Sequence, residues 1–394
     1  MIVPDAAPVV VVVVPPAPVE PVVVAPPVEP GVDLATQARM LHRVGACAGD
    51  APVPAHLTAA LVDKYCARMQ DGIRKYRERW LDRAMPFLAD VVPDGLPTVV
   101  VYPFGGGDLV TALATYPDLT EITTLSLEPA GDVRAIERID AKRLAPILAK
   151  NADLIRRLFA VSHSKTTNLS ITTKAELPGE LVFTLVALEV HGFEPVSLRY
   201  FKIEPDGALN YLEADALAAI DASVAKLPDG RRKAAQLASF SNVEIRFRKE
   251  SDAAAPLRTF RHISGDLSDG ALKKDRRVLA HLESKGRVVA MTKAASFLLW
   301  WDTFSQMRRY LLGHMEWMIS DATGIPNHHA KKAGFEQITW GRFEGPFLAG
   351  AGDGAPMRRV WETNPVKPLP FRYGYPDSKG HSHMMVTRRA AVTQ

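Results

Sequence analysis

TVVVYPFGGGDLVTALATYPDLTEITTLSLEP, residues 98–129, reads as strand, turn, helix, strand. Val99, Val100 and Val101 form the unbroken apolar run of a parallel strand buried on both faces. Gly105, Gly106 and Gly107 let the backbone turn sharply, LVTALATYP supplies the helix, and EITTLSLEP returns as the second strand. The unit is β-α-β. It sets the expected fold class: α/β, with Rossmann-like β-α-β units, an additional antiparallel strand region and an N-terminal helical segment.

Glycines after a buried strand also allow the backbone to approach a ligand, and a carboxylate about 20 residues on, at the tip of the next strand, can hold a ribose. Phe104, Gly105, Gly106, Gly107 and Glu128 are therefore the candidate cofactor-binding residues. The spacing suits a dinucleotide or S-adenosylmethionine, but the G-x-G-x-x-G fingerprint is missing. Asp108 follows the glycines directly and would cap the helix and repel a phosphate. This leaves a tight turn capped by Asp108, or a methyltransferase-like pocket.

Outward from this unit the pattern changes. A second strand-turn-helix-strand runs through RTFRHISGDLSDGALKKDRRVLAHLESKGRVVAMTKAAS. In it Ser264-Gly265-Asp266-Leu267 echoes Gly106-Gly107-Asp108-Leu109, as a duplicated half-domain would. Between the two units lie a mainly helical stretch, 133–159, interrupted at Pro146, and strand candidates ELVFTLVALEVHGF, VSLRYFKIEPDG, ALNYLE and NVEIRFRKE, an antiparallel region over about 180–250. A helix from about Ser296 to Leu312, the strand HMEWMIS and strands around QITWGRF, LPFRYGY and HMMVTRR complete the α/β domain, 96–394. Upstream, Asp33 starts a short helix, and Leu57, Leu61, Tyr65, Met69, Ile73, Tyr76 and Trp80 mark the buried stripe of a long one from about Ala55 to Leu88. This segment, 32–95, is expected to pack on the core.

Residues 1–31 are a Val/Pro tract whose prolines forbid both helix and sheet ladder, so it reads as an extended, disordered tether. Cys47 and Cys66, 19 residues apart, are placed to close a disulfide or to stand as two separate thiols. A bridge requires an oxidising compartment. Tether and cysteines point to the bacterial envelope, periplasmic or outer, with a lipid anchor upstream of Met1 one possibility and the cytoplasm the alternative. The chain has 394 residues, 47% hydrophobic and 23% charged, with a net charge of +4. That field is too weak to argue for nucleic acid or anionic lipid, and no apolar run is long enough for a transmembrane helix.

Asp321 ends the strand HMEWMIS, where ligands gather in open α/β sheets. With Asp108 and Lys293 it makes the candidate catalytic set: two carboxylates as acid and base, and the lysine stabilising an anion. The alternative is that the acids cap turns and the lysine pairs with one of them. His328-His329 and His381-Ser382-His383 lack further ligands at metal spacing. Trp300, Trp301 and Trp317, with Phe297 and Phe304, read as core. No G-x-S-x-G, H-E-x-x-H or P-loop is present.

YPFGGGDL, LEPAG, TKAASFLLW with FSQMRR, SDATGIP, WGRFEGPF and FRYGY together resemble a group of uncharacterised bacterial proteins, many exported or lipid-anchored, whose motifs are Y-P-F-x-G-x-D, L-E-P-x-G, K-x-A-S, D-x-x-G-I-P and F-x-Y-G-Y. Ala294 and Ala322 depart from that pattern, where relatives show Ser and a second Asp. The resemblance implies export and one continuous domain and names no reaction. The expected function is thus an extracytoplasmic module that binds a small molecule or an envelope component without a cofactor. The alternative is a methyltransferase-type enzyme using S-adenosylmethionine. Oligomeric state is not legible.

Overall fold

Strand β1, Val99–Pro103, lies at the middle of the sheet because it is apolar on both sides: Val100 and Tyr102 face one core and Val101 the other. Around it are β2 Glu121–Ser126, β3 Phe193–Ile203, β4 Leu209–Tyr211, β5 Val243–Lys249, β6 Arg258–Ser264, β7 Val288–Thr292, β8 Met315–Ser320, β9 Phe335–Gly341 and β10 His383–Arg389. The computed structural model describes residues 30–106, 108–161, 177–344 and 354–390. The chain divides into Met1–Pro30 and Gly31–Gln394. The tether expected over 1–31 falls outside the described residues except for Pro30 and Gly31.

The ten strands form one mixed sheet, β4-β3-β5-β6-β2-β1-β7-β8-β10-β9. The central five, β6-β2-β1-β7-β8, are parallel. Numbered in chain order they lie 3-2-1-4-5, the order of a doubly wound sheet, and the direction of winding reverses between β1 and β7. Antiparallel strands extend both edges: β5, β3 and β4 beyond β6, and β10 and β9 beyond β8. The fold is α/β, as expected. The echo between the two glycine turns is not a structural repeat. β1 and β2 are neighbours, whereas β6 and β7 have β2 and β1 between them. Asp266 is exposed and Asp108 is buried.

Helices α1 Ala35–Leu41, α2 Ala59–Tyr76, α3 Asp82–Val91, α4 Leu109–Thr115, α5 Ala141–Val161 and α6 Gly179–Val190 contribute to the first core. Helices within 269–332 contribute Leu272, Leu279, Leu282, Met307, Leu311 and Ala330 to the second. The N-terminal segment is hydrogen-bonded to the sheet: the backbone N–H groups of Val32 and Leu34 donate to Leu212 and Leu198, and the Asp33 carboxylate accepts from both Ala35 and Leu198. Tyr65, Met69, Ile73, Tyr76 and Trp80 are all buried, although α2 gives way at Arg77–Leu81 to one π-helical turn before α3.

Several elements differ from the sequence reading. ELVFTLVALEV is helix α6, not a strand, and eleven of its twelve residues are buried. A continuous apolar run does not distinguish a two-faced strand from a helix buried all round; its twelve residues exceed an ordinary strand, and it packs against α4, the turn His42–Ala46 and β3. The antiparallel region therefore begins at Phe193. Pro146 lies inside α5, and the interruption falls earlier, at 138–140, where the Asp140 carboxylate accepts from Lys142 N–H. The helix expected from Ser296 begins at Ser305, after two short 3-10 turns. LPFRYGY is not a strand, and Trp301 is 49% exposed rather than core.

Cys47 and Cys66 are joined in a disulfide. It ties the loop after His42–Ala46 to α2, alongside hydrogen bonds from Tyr65 Oη to the Gly45 carbonyl and from Gln70 Nε2 to the Cys47 carbonyl. Among the described residues no helix is long and apolar enough to cross a membrane. Closing a loop of this length stabilises by about 3 kcal/mol in the chain-entropy account. Cys47→Ser/Cys66→Ser should therefore lower the urea-unfolding free energy by about that amount. An unmoved midpoint would show that the bridge constrains nothing.

Candidate functional site

At the ends of β1 and β2 the glycines answer to the protein's own side chains. A Cβ on Gly105 would stand 2.2 Å from the Tyr102 ring, and one on Gly106 would stand 2.6 Å from Ser126 Oγ. Neither needs a positive φ; each needs the space. Gly107 lies outside the described residues. Phe104 precedes them at φ 61°, in the left-handed region, and packs edge-on against Phe304 at 5.6 Å. Gly105 and Gly106 thus form a corner fitted to Tyr102 and Ser126.

Asp108 stands at the start of α4, yet its side chain accepts no backbone N–H there. Its Oδ2 accepts from Tyr102 Oη at 2.9 Å and meets Lys293 Nζ at 2.6 Å, while its Oδ1 accepts from Thr111 Oγ1 at 2.8 Å. Lys293 Nζ also donates to Thr111 Oγ1 at 2.6 Å and lies 5.8 Å from the centre of the Tyr373 ring. Asp108 and Lys293 are 4% and 6% exposed. The expected capping role of Asp108 is replaced by a buried ion pair that crosses from β1 to β7. Burial and the Asp108 charge push the Tyr102 phenol well above its ordinary value, so Tyr102 is the donor in its bond to the carboxylate.

Asp321, fully buried after β8, accepts four hydrogen bonds. Ala294 N–H and Tyr375 N–H reach Oδ2, each at 2.9 Å, and Thr323 supplies its N–H and its hydroxyl to Oδ1. Four donors are the full complement of a carboxylate. Ala295 N–H in turn donates to Thr323 Oγ1. A Cβ on Gly374, whose φ is 69°, would lie 2.4 Å from Asp321 Cβ. Asp321 therefore clasps three segments, 293–295, 321–324 and 373–375.

The structure brings Asp108, Lys293 and Asp321 to one rim, the C-terminal ends of β1, β7 and β8. Asp321 has no lone pair left for acid-base work, and Asp108 already accepts three donors. Tyr102, Thr111, Thr323, Tyr373 and Gly374 complete the cluster and were not singled out from sequence. Hydroxyl residues and FRYGY carry no spacing that announces a partner in another segment. The Tyr373 hydroxyl is fully buried and makes no hydrogen bond among the described residues.

Glu128 differs from these acids. Its backbone is fixed, with its N–H donating to Ser126 Oγ and its carbonyl accepting from His262 Nε2 at 2.7 Å. Its carboxylate is in a residue only 6% exposed and, among the described residues, has no hydrogen-bonding or ionic partner. Oε2 would be 3.4 Å from a Cβ on Gly106. Beyond Glu128 the chain runs into the wall of a cavity of about 580 Å³, at Pro129–Asp132. There Asp132 accepts from Arg134, Arg138 and Gln236. Burial alone would raise the Asp132 carboxyl, but the two guanidiniums outweigh it and hold it below its usual range.

His381 and His383 have different surroundings. His381 Nδ1 meets Asp377 at 2.9 Å, and the buried His383 ring lies against Phe343 and Trp361. Among the described residues no group of three or more potential ligands is placed to hold a metal.

No family model, curated protein or solved structure matches the chain.

Removing one partner of the buried pair leaves the other charged and unpaired, at a cost of about 3–5 kcal/mol. Asp108→Asn should lose stability on that scale, and Asp108→Leu/Lys293→Met should recover most of it; additive losses in the double variant would contradict the coupling. A second expectation concerns pH. Burial lowers His262 from 6.5 to about 4, and His42, His191 and His281 likewise. Between these values the unfolded chain binds more protons, so stability is full above pH 6.5 and is lost as pH falls towards 4. His262→Gln should make that slope shallower by up to about 1.4 kcal/mol per pH unit, measured by urea unfolding at pH 7, 6 and 5.

Proposed function

We propose that this chain is a binding module for a small ligand rich in hydroxyl or amine donors, working outside the cytoplasm, and that Glu128 is its specificity-setting acceptor. The observation that carries the reading is the Glu128 carboxylate, in a residue 6% exposed and without a partner among the described residues, beside Gly106 at the carboxyl end of β2. Buried carboxylates are ordinarily paired or hydrogen-bonded, so one left open at the strand ends of a doubly wound sheet is suited to donors from a ligand. The tight partnering of Asp108, Lys293 and Asp321 favours a scaffold over acid-base chemistry. The disulfide supports an oxidising compartment.

A second reading rests on the same carboxylate. A Rossmann-like methyltransferase-type enzyme would set the ribose hydroxyls of S-adenosylmethionine on Glu128, with the β1–α4–β2 unit beneath; the 3-2-1-4-5 strand order supports it.

Native mass spectrometry of the purified chain, followed by calorimetric titration with S-adenosylmethionine and with a panel of mono- and disaccharides, distinguishes the two readings. Glu128→Gln should keep the melting temperature within a degree or two of the parent, since no protein contact is lost, and should weaken binding of the retained ligand by about tenfold or more. Undiminished binding in this variant would remove Glu128 from the site. Saturable binding of S-adenosylmethionine would favour the second reading.

A further inference from the structure

On the face of the sheet covered by α2, a groove of about 740 Å³ runs between α2, the end of α5 and the segment 369–372. Its size is that of a small-molecule site. Its floor is aromatic: Tyr76 stacks on Phe159 at 4.3 Å and on Trp80 at 5.3 Å, and Phe371 meets the Trp80 edge, also at 5.3 Å. Trp80 is held in place by a 2.6 Å hydrogen bond from its Nε1 to the Arg372 carbonyl. The Tyr76 hydroxyl, in a residue 5% exposed, has no hydrogen-bond partner among the described residues.

The walls are basic. Lys75, Arg79, Arg83, Arg156 and Arg372 line the groove against a single carboxylate, Asp71, which is already engaged by Lys75 and Arg74. Arg156 pairs with Asp153. Arg79 and Arg83 make no ion pair or hydrogen bond among the described residues. They sit four positions apart, across the π-helical turn Arg77–Leu81, a distortion often found at functional sites. Guanidiniums suit the planar, two-pronged oxygens of phosphates and carboxylates.

We infer that this groove is a second binding site, for a small organic anion with an aromatic or apolar body on the Tyr76–Trp80 floor and a terminal phosphate or carboxylate between Arg79 and Arg83. The site is separate from Glu128 and does not depend on the reading given to that residue. Burial, and after it the Asp108 charge, push the Tyr76 phenol well above its ordinary value.

Phenyl phosphate, inorganic phosphate and phenol form a sufficient set of probes, titrated into the full chain by calorimetry and followed by tryptophan fluorescence. Phenyl phosphate should bind at least about tenfold more tightly than either half alone, and more weakly as salt rises. Arg79→Ala/Arg83→Ala, two exposed positions, should weaken it by about tenfold or more without shifting the melting temperature. Trp80→Phe should remove the fluorescence response, and Glu128→Gln should leave phenyl phosphate binding unchanged. Three results would each overturn the inference: phenol binding as well as phenyl phosphate, affinity unaltered in the double arginine variant, or no binding of phenyl phosphate by the folded chain.

Discussion

The ion pair between Asp108 and Lys293 joins β1 to β7, at the seam where the strand order reverses. At such a seam the chain leaving one strand turns to one face of the sheet and the chain leaving its neighbour turns to the other, which opens a crevice that doubly wound proteins commonly use for ligands. Here α4 follows β1 into the first core, while Leu299, Met307 and Leu311 follow β7 into the second. Among the described residues, the protein's own side chains occupy this opening. Tyr102, Thr111 and Tyr373 surround the pair, and each charge has an opposite charge and a hydroxyl within hydrogen-bonding distance. A fully partnered pair of this kind adds little net stability but strongly penalises any arrangement that separates its members. It fixes how β1 and β7 end, and every nearby loop is built on those ends.

The backbone around the seam supports this view. Phe104, Ala294, Ser296 and Phe297 all have positive φ, and all follow the carboxyl ends of β1 or β7. Left-handed conformations at residues bearing a Cβ cost energy and persist where surrounding contacts over-determine them. Asp321 provides such contacts for Ala294, and through Thr323 for Ala295, and the same carboxylate anchors Tyr375. The strained turn after β7, the turn after β8 and the FRYGY segment thereby become one unit. Tyr373, carried by that segment, closes over Lys293.

Much of the fold was legible because its signals are local. The Val99–Val101 run and the periodic stripe of α2 each report burial on a known period; the strand formed where it was placed, while the helix expected from about Ala55 to Leu88 begins at Ala59 and is divided by the π-helical turn Arg77–Leu81. ELVFTLVALEV was misread because a helix buried on all sides has no polar face to reveal its period. The site was legible in part. Its rim followed from the rule that loops at strand carboxyl ends converge, so Asp108, Lys293 and Asp321 could be grouped from sequence. Their engagement could not, because it depends on Tyr102 lying on the same face as Asp108 and on a tyrosine 80 positions beyond Lys293 in the chain. The groove over Tyr76 was hidden for a similar reason: the stripe that signals core and the stripe that floors the groove are the same residues, and only the approach of Phe159 and Phe371 separates the two roles.

The disulfide bears on which ligands the crest beside Glu128 can meet. Cys47–Cys66 closes the chain onto α2, so it supports the scaffold. Its persistence requires surroundings in which thiols are oxidised, whereas S-adenosylmethionine and the nicotinamide cofactors are made and held where thiols stay reduced. A carboxylate spaced to take a ribose and a bridge suited to an oxidising compartment therefore pull in different directions. They are reconciled if the ligand we propose for Glu128 is a hydroxylated molecule available outside the cytoplasm. Gly105 and Gly106 agree with this resolution, because the space beside each is taken by Tyr102 and Ser126 and not left to a ligand's phosphate.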